Sequence, residues 1–241
     1  MKRSNHALRV LKRGSVALFL ILPVCAAEKD AESIMKICRK AAAGQKADLS
    51  GRLRKDGIED IPIKVFLREQ NLQFKVDEDR LHMRIREEGA SLFTVDGSGR
   101  LTPFSKDRLT QPIRGSDTTF EDLTMLFLYW PNPRLVGEDQ IGGEKCYRLQ
   151  IDNPSKDGAF QSVLLWVHQK FGVFWAMRGF DLNGRALKQF QVEEIMRIDR
   201  EGDYGLKKMQ VSVFDKEEKT KSITYLEFYD SESSTPKGLK R

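Results

Sequence analysis

The chain of 241 residues has little of what most enzymes are built from: three histidines and three cysteines leave few nucleophiles, proton carriers or metal ligands. His6 lies near the start, and His82 and His168 are far apart, with nothing like the HExxH spacing that puts two imidazoles on one helix face. Both are expected to point to solvent from strands. No GxSxG elbow, phosphate-binding P-loop or GxGxxG entry to a helix is present. The carboxylate pairs Glu87 and Glu88, Glu193 and Glu194, and Glu217 and Glu218 are adjacent in sequence, and neighbours on a strand point to opposite faces. Asp96 to Gly99 reads as a turn and not as a ligand loop. No catalytic residue, metal or cofactor is expected, and a secreted hydrolase with an unfamiliar site is the secondary expectation.

Long apolar runs are missing too. The longest, Val16 to Leu22, falls well short of the roughly 20 residues a membrane-spanning helix needs. It follows Lys2, Arg3, Arg9, Lys12 and Arg13 and precedes Val24, Cys25, Ala26 and Ala27, the layout of a secretory signal. Residues 1–27 are therefore expected to be a cleaved signal peptide and the rest an exported, periplasmic protein. Cys25 offers a second outcome, lipidation, but Pro23 and Val24 stand where a lipoprotein signal carries small residues.

Removing the leader removes the basic excess. The chain has 41 Lys and Arg against 35 Asp and Glu, and five of the basic residues lie in residues 1–27, leaving a net charge near +1. Basic and acidic residues are interspersed and no aromatic platform accompanies them, so nucleic acid is not an expected partner. Cys38 and Cys146 remain. Export would permit a disulfide closing a loop of roughly 100 residues, worth about 4 to 5 kcal/mol; two buried reduced thiols are the equal alternative.

The most informative segment is Thr118 to Pro133, TTFEDLTMLFLYWPNP. At 100° per residue Phe120, Leu123, Leu126, Phe127 and Trp130 share one stripe, while Met125, Leu128 and Tyr129 fall on another side. Thr118 and Glu121 have capping-box spacing, and Pro131 and Pro133 end the segment, which predicts a helix of about three turns. One face can enter a core; the other faces either more core or an apolar cavity.

Around it the pattern is that of strands. Asp30 to Ala43 is helical, with Ile34, Ile37, Cys38 and Ala41 on one face. Ile63, Val65 and Leu67, then Leu81, Met83 and Ile85, alternate with polar residues. Further strands are read near residues 145–151, 161–168, 173–182, 186–198, 206–213 and 222–229, joined by short turns. Among these, Asn183 and Gly184 predict a type I′ hairpin. Several strands exceed the usual five to six residues, which favours a strongly curved or partly closed sheet. About ten strands and two or three helices fit one domain over residues 28–230, followed by a flexible tail, 231–241.

The stretch from Ser116 to Ile151, with its Phe120 Glu121 Asp122 Leu123 helix and Tyr129 Trp130 Pro131 turn, resembles the outer-membrane lipoprotein-sorting proteins of the LolA-like superfamily. So do the Leu165 Trp166 Val167 strand and the Gly179 Phe180 Asp181 hairpin. The likeness is close over residues 116–198 and extends in layout over 30–230. It implies a mainly β (α+β) fold: an unclosed antiparallel β-barrel with short helices covering an apolar concave face. It also implies a monomeric periplasmic carrier that binds acyl chains of lipoproteins or other lipids and sorts them toward the outer membrane. Its partners would be an inner-membrane releasing complex and an outer-membrane acceptor. A lipid-sensing or envelope-interaction protein on the same fold is the alternative. For such a carrier, Leu123, Leu126, Phe127, Tyr129 and Trp130 would form the lid surface, and Trp175, Met177 and Phe190 the cavity wall.

Overall fold

A computed structural model describes residues 30–43, 46–86, 89–197 and 204–229. The expected signal peptide, Cys25 and the expected tail lie outside them. After helix α1 (Ala31–Ala43) come strands β1 (Lys46–Arg54), β2 (Ile61–Arg68), β3 (Asn71–Val76), β4 (Asp79–Arg86), β5 (Gly89–Val95) and β6 (Leu101–Pro103). A long connection carries the one-turn helix α2 (Phe120–Thr124) and a 3₁₀ turn (Leu126–Tyr129). Strands β7 (Arg134–Ile141), β8 (Glu144–Asp152), β9 (Ser162–His168), β10 (Phe174–Phe180), β11 (Ala186–Arg197), β12 (Tyr204–Phe214) and β13 (Thr220–Tyr229) complete the chain.

The 13 strands of the described residues form one antiparallel sheet, against about ten expected. Its order is β6-β5-β4-β3-β2-β1-β13-β12-β11-β10-β9-β8-β7, two meanders joined where β1 pairs with β13. The edges β6 and β7 do not pair, so the barrel stays open. Alternation sets the faces: Ile61, Ile63, Val65 and Leu67 of β2 are buried, as are Leu72, Phe74 and Val76 of β3 and Leu81, Met83 and Ile85 of β4. These side chains share one inner face and one core with Leu149, Leu165, Met177 and Phe190 from the second meander.

The inner face is covered from two directions. Helix α1 forms as expected and lays Ile34, Met35 and Cys38 into the core, while Ile37, read on the same face, is 46 % exposed; Asp30 caps it, its carboxylate accepting from the Ser33 backbone N–H at 2.8 Å. The second cover follows from topology. Residues 104–133 must run from edge strand β6 to edge strand β7, so they cross the open side of the barrel and bring α2 over the concave face.

Two local expectations are corrected. The turn at Asn183 and Gly184 is not type I′, because only Gly184 has positive φ (74°). Gly184 N–H donates to Asp181 O and Asp181 N–H to Arg185 O, the pattern of a type I turn closed by a left-handed glycine. The Asp181 carboxylate, accepting from Asn183 and Arg185 N–H at 2.9 Å each, stabilises that form. The three-turn helix after Thr118 is instead a single α-turn: Met125 adopts the left-handed conformation (φ 47°, ψ 41°), and the chain tightens into 3₁₀ geometry. The cap is one residue later than read, on Thr119. Its side chain accepts from Asp122 N–H while the Asp122 carboxylate accepts from Thr119 N–H at 2.8 Å.

Candidate functional site

Between the concave sheet face and its two covers lies a cavity of about 880 Å³. Its floor is sheet: Val65, Leu67, Leu72, Phe74 and Met83 on one side, Val192, Leu206, Leu226 and Phe228 on the other. Ile37, Cys38 and Ala41 of α1 form a wall, and Leu123, Thr124, Met125, Leu128 and Tyr129 form the cover. Thus the second face of the 120–130 segment looks into the cavity. Four lining residues, Ile37, Phe171, Ile195 and Tyr204, are large exposed hydrophobics and mark an apolar mouth. The size sits at the upper end of the ~300–1,000 Å³ of small-molecule sites, and the lining offers almost no directed polar group. Such a space selects for apolar bulk and not for a particular functional group.

The segment's other face explains why it stays in place. Phe127 packs against Phe174 and Phe190 with ring centroids 6.3 and 6.2 Å apart, and Phe190 meets Phe160 edge-on. At its start, two carboxylates are buried against the second meander. Asp122, 2 % exposed, forms an ion pair with Lys188 of β11. Glu121 accepts from the Ala159 N–H at 2.8 Å in a niche open only because residue 158 is glycine, where a Cβ would stand 2.2 Å from the carboxylate. Burial pushes the Glu121 carboxyl up to about 7, against the opposing effect of the Ala159 N–H. At the segment's end, Arg39 of α1 donates from Nε to the Leu128 carbonyl at 2.7 Å and from Nη2 to the Trp130 carbonyl at 3.0 Å. The same guanidinium pairs with Glu32. Arg39 therefore ties one cover to the other. Sequence reading missed it because its partners are backbone carbonyls about 90 residues away, which leave no side-chain signature.

The expected site residues divide. Leu123 and Tyr129 line the cavity, and burial holds the Tyr129 phenol above its ordinary range. Trp175 borders it, but this residue is the extra one in a bulge of β10; its indole N–H donates to Ile141 O at 3.0 Å and packs with Cys146, Trp166 and Ala176. Phe127, Met177 and Phe190 lie in the packed core behind the cavity, and Leu126 and Trp130 at that core's margin. Met125, Leu128, Phe74 and Met83 are cavity residues outside the expected set.

Cysteine and histidine chemistry does not converge there. Cys38 and Cys146 are both free, which corrects the disulfide alternative: Cys38 sits under α1 on the inner side of the sheet, Cys146 in the small outer cluster. Burial raises the thiols to about 12 and about 11, far from a reactive thiolate. His82 lies on the outer face near Asn71 and Gln73, and burial lowers its basicity, helped by Arg84. His168 is 4 % exposed and not in solvent. Its Nδ1 accepts from the Lys170 and Phe171 N–H groups, so Nε2 carries the proton toward Glu144 at 3.0 Å. That ring holds the β9–β10 turn. No cluster of three or more His, Cys, Asp or Glu suited to a metal occurs among the described residues.

Comparison with known proteins agrees with the architecture. A LolA superfamily protein from Nitrosomonas europaea is 18 % identical with a TM-score of 0.59, over 84 % of this chain and 93 % of its own. A domain from Vibrio parahaemolyticus described as an outer membrane lipoprotein-sorting protein is 14 % identical with a TM-score of 0.61, over 88 % and 96 %. A DUF1329 family protein from Desulfovibrio piger is 13 % identical with a TM-score of 0.61, over 84 % and 92 %. No curated protein matches in sequence. A family model described as "Uncharacterized protein" matches residues 95–236. The chain thus has the LolA-like fold and belongs to the family that this model defines.

Proposed function

We propose that the protein is an exported carrier that binds acyl chains of lipoproteins or other lipids and moves them through the periplasm toward the outer membrane, without covalent chemistry. The observation that carries the reading is the apolar cavity of about 880 Å³ with an apolar mouth. Each CH₂ in water costs about 0.8 kcal/mol, so a 16-carbon chain costs on the order of 12 kcal/mol, and free passage is negligible. Residues 28–230 form the binding domain in this reading, residues 1–27 direct export, and 231–241 are a tail. The 120–130 segment is the lid, and Arg39 closes it.

The lining supports variable cargo: Met83 and Met125 adapt to different chain shapes. The test is uptake of a fluorescent fatty acid, with mass spectrometry of lipid extracted from the protein purified from the envelope. Leu128→Asp places a charge on the lid's cavity face and is expected to weaken uptake at least tenfold while the far-UV spectrum is kept. A wild-type protein that carries no lipid and takes up no fatty acid would overturn the reading. Depletion that strands lipoproteins in the inner membrane would support sorting.

A further inference from the structure

The outer face of the sheet holds a feature unrelated to the cavity's content. On β1, β13, β12 and β11 charges alternate in register: Arg52 lies opposite Glu227, Glu227 opposite Lys208, and Lys208 opposite Glu194. Glu227 binds both Arg52 and Arg54, and Lys208 binds Glu193. On the adjoining strands the rule is broken. Lys64 of β2 lies opposite Lys75 of β3, which lies opposite Arg80 of β4, all three exposed.

The whole outward surface of these three strands is of one sign. Its residues are Pro62, Lys64, Phe66 and Arg68 on β2, Asn71, Gln73 and Lys75 on β3, and Arg80, His82, Arg84 and Arg86 on β4, without a carboxylate. The acids at its margins are paired: Asp48 neutralises Arg68 at the patch's edge, while Glu69 pairs with Lys46, Asp77 with Arg114 and Asp79 with Arg108, and among the described residues Glu78 remains at the turn tip. Lys64, Lys75 and Arg80 have no acidic partner among the described residues. Directly opposed like charges destabilise a strand pair. A sheet that alternates signs on one half and stacks cations on the other carries a cost that an external anion would relieve.

The shape selects the anion. Three strands place the row across about 10 Å of the sheet's convex outer face, with none of the large exposed hydrophobics of the described residues, so the anchor a protein partner needs is missing. Phe66 is half-buried and Phe93 lies under the Arg84 guanidinium, so no stacking platform for bases is offered, and no helix can enter a duplex groove. A planar, diffuse array of negative charge fits: the surface of a bilayer containing anionic lipids.

We propose that the outer face of β2–β4 is a docking surface for an anionic membrane, centred on Lys64, Lys75 and Arg80. The same strands turn Val65, Leu67, Leu72, Phe74 and Met83 into the cavity, so docking brings the cavity wall within one strand's thickness of the headgroups. The test is co-sedimentation of the full chain with phosphatidylglycerol–phosphatidylcholine vesicles and with phosphatidylcholine alone. Wild type is expected to partition at least tenfold better into the anionic vesicles at low salt, with the difference lost as salt shortens the Debye length from ~30 Å toward ~3 Å. The triple variant Lys64→Gln, Lys75→Gln, Arg80→Gln is expected to lose that preference, melt at the same or a higher temperature, and keep fatty-acid uptake. Equal binding to both vesicles, an unchanged triple variant, loss of uptake in it, or binding to an acidic polypeptide but not to vesicles would each overturn the assignment.

Discussion

The two covers of the cavity are held by different forces. Helix α1 is seated on the sheet by buried apolar side chains, Ile34, Met35 and Cys38, and the part-buried polar bonds it makes, from Arg39, go to the other cover. The 120–130 segment also buries Phe120, Leu123 and Phe127, but it is fixed at both ends by charge: Glu121 and Asp122 at its start, Arg39 at its end. Apolar burial is indifferent to pH and to any single hydrogen bond. A segment held by buried ionisable groups responds to both, which suits it to be the cover that moves.

The largest expected effect lies at Asp122. Asp122→Ala leaves the mostly buried Lys188 ammonium without its carboxylate and removes the Thr119 cap, so a loss of about 3 to 5 kcal/mol is expected in urea unfolding. Asp122→Ala with Lys188→Met should recover much of that, since breaking a buried pair costs more than replacing it. If the double variant is no more stable than the single one, the ion pair is not what anchors the segment, and the contrast between the covers fails.

Glu121 gives the next largest effect, with a pH signature that α1 lacks. Its carboxyl is raised from 4.5 to about 7 by burial, so the unfolded chain releases this proton near pH 4.5 and the folded chain only near 7. The stability it contributes is full below the lower value, falls through the interval and stays reduced above pH 7. Glu121→Gln keeps an acceptor for Ala159 N–H and is expected to gain about 2 kcal/mol at pH 8 but little at pH 4. Equal effects at both pH values would show that no raised pKa exists. Across the same range the bound fatty acid should exchange faster at high pH in wild type and not in the variant.

How much of this was legible depended on the range of the interaction. Strands β2 and β4 could be read from alternation because a half-buried strand imprints its two faces on consecutive residues, and α1 from the spacing of Ile34 and Cys38. Strand length alone indicated a strongly curved or partly closed sheet; the unclosed barrel came from the resemblance, because the β1–β13 pairing that joins the meanders has no local signal. The length of α2 was misread because hydrophobic spacing continues through Met125 while the backbone does not; Thr124 Oγ1, donating to the Phe120 carbonyl at 2.8 Å, accompanies that early end. The cavity face was the one with Met125, Leu128 and Tyr129, and Phe127 went to the core, a choice that amphipathicity cannot make for a segment apolar on both sides. Lys64, Lys75 and Arg80 look like ordinary solvated residues until register places them side by side.

The smallest expected effect on stability is at Arg39, and it sharpens the comparison most. Arg39→Met keeps an apolar stem on α1 but removes the donors to the Leu128 and Trp130 carbonyls, both part-buried bonds. Stability should fall by about 1 kcal/mol, and under the proposed lid role release of a bound fluorescent fatty acid should quicken by about fivefold. Tyr129 quenching of the bound probe should weaken in parallel. A variant with altered stability but unchanged release would mean that cargo leaves through the mouth at Ile37 and Phe171 with the segment closed. In that case the polar anchoring serves only folding, and the two covers differ in chemistry without differing in role.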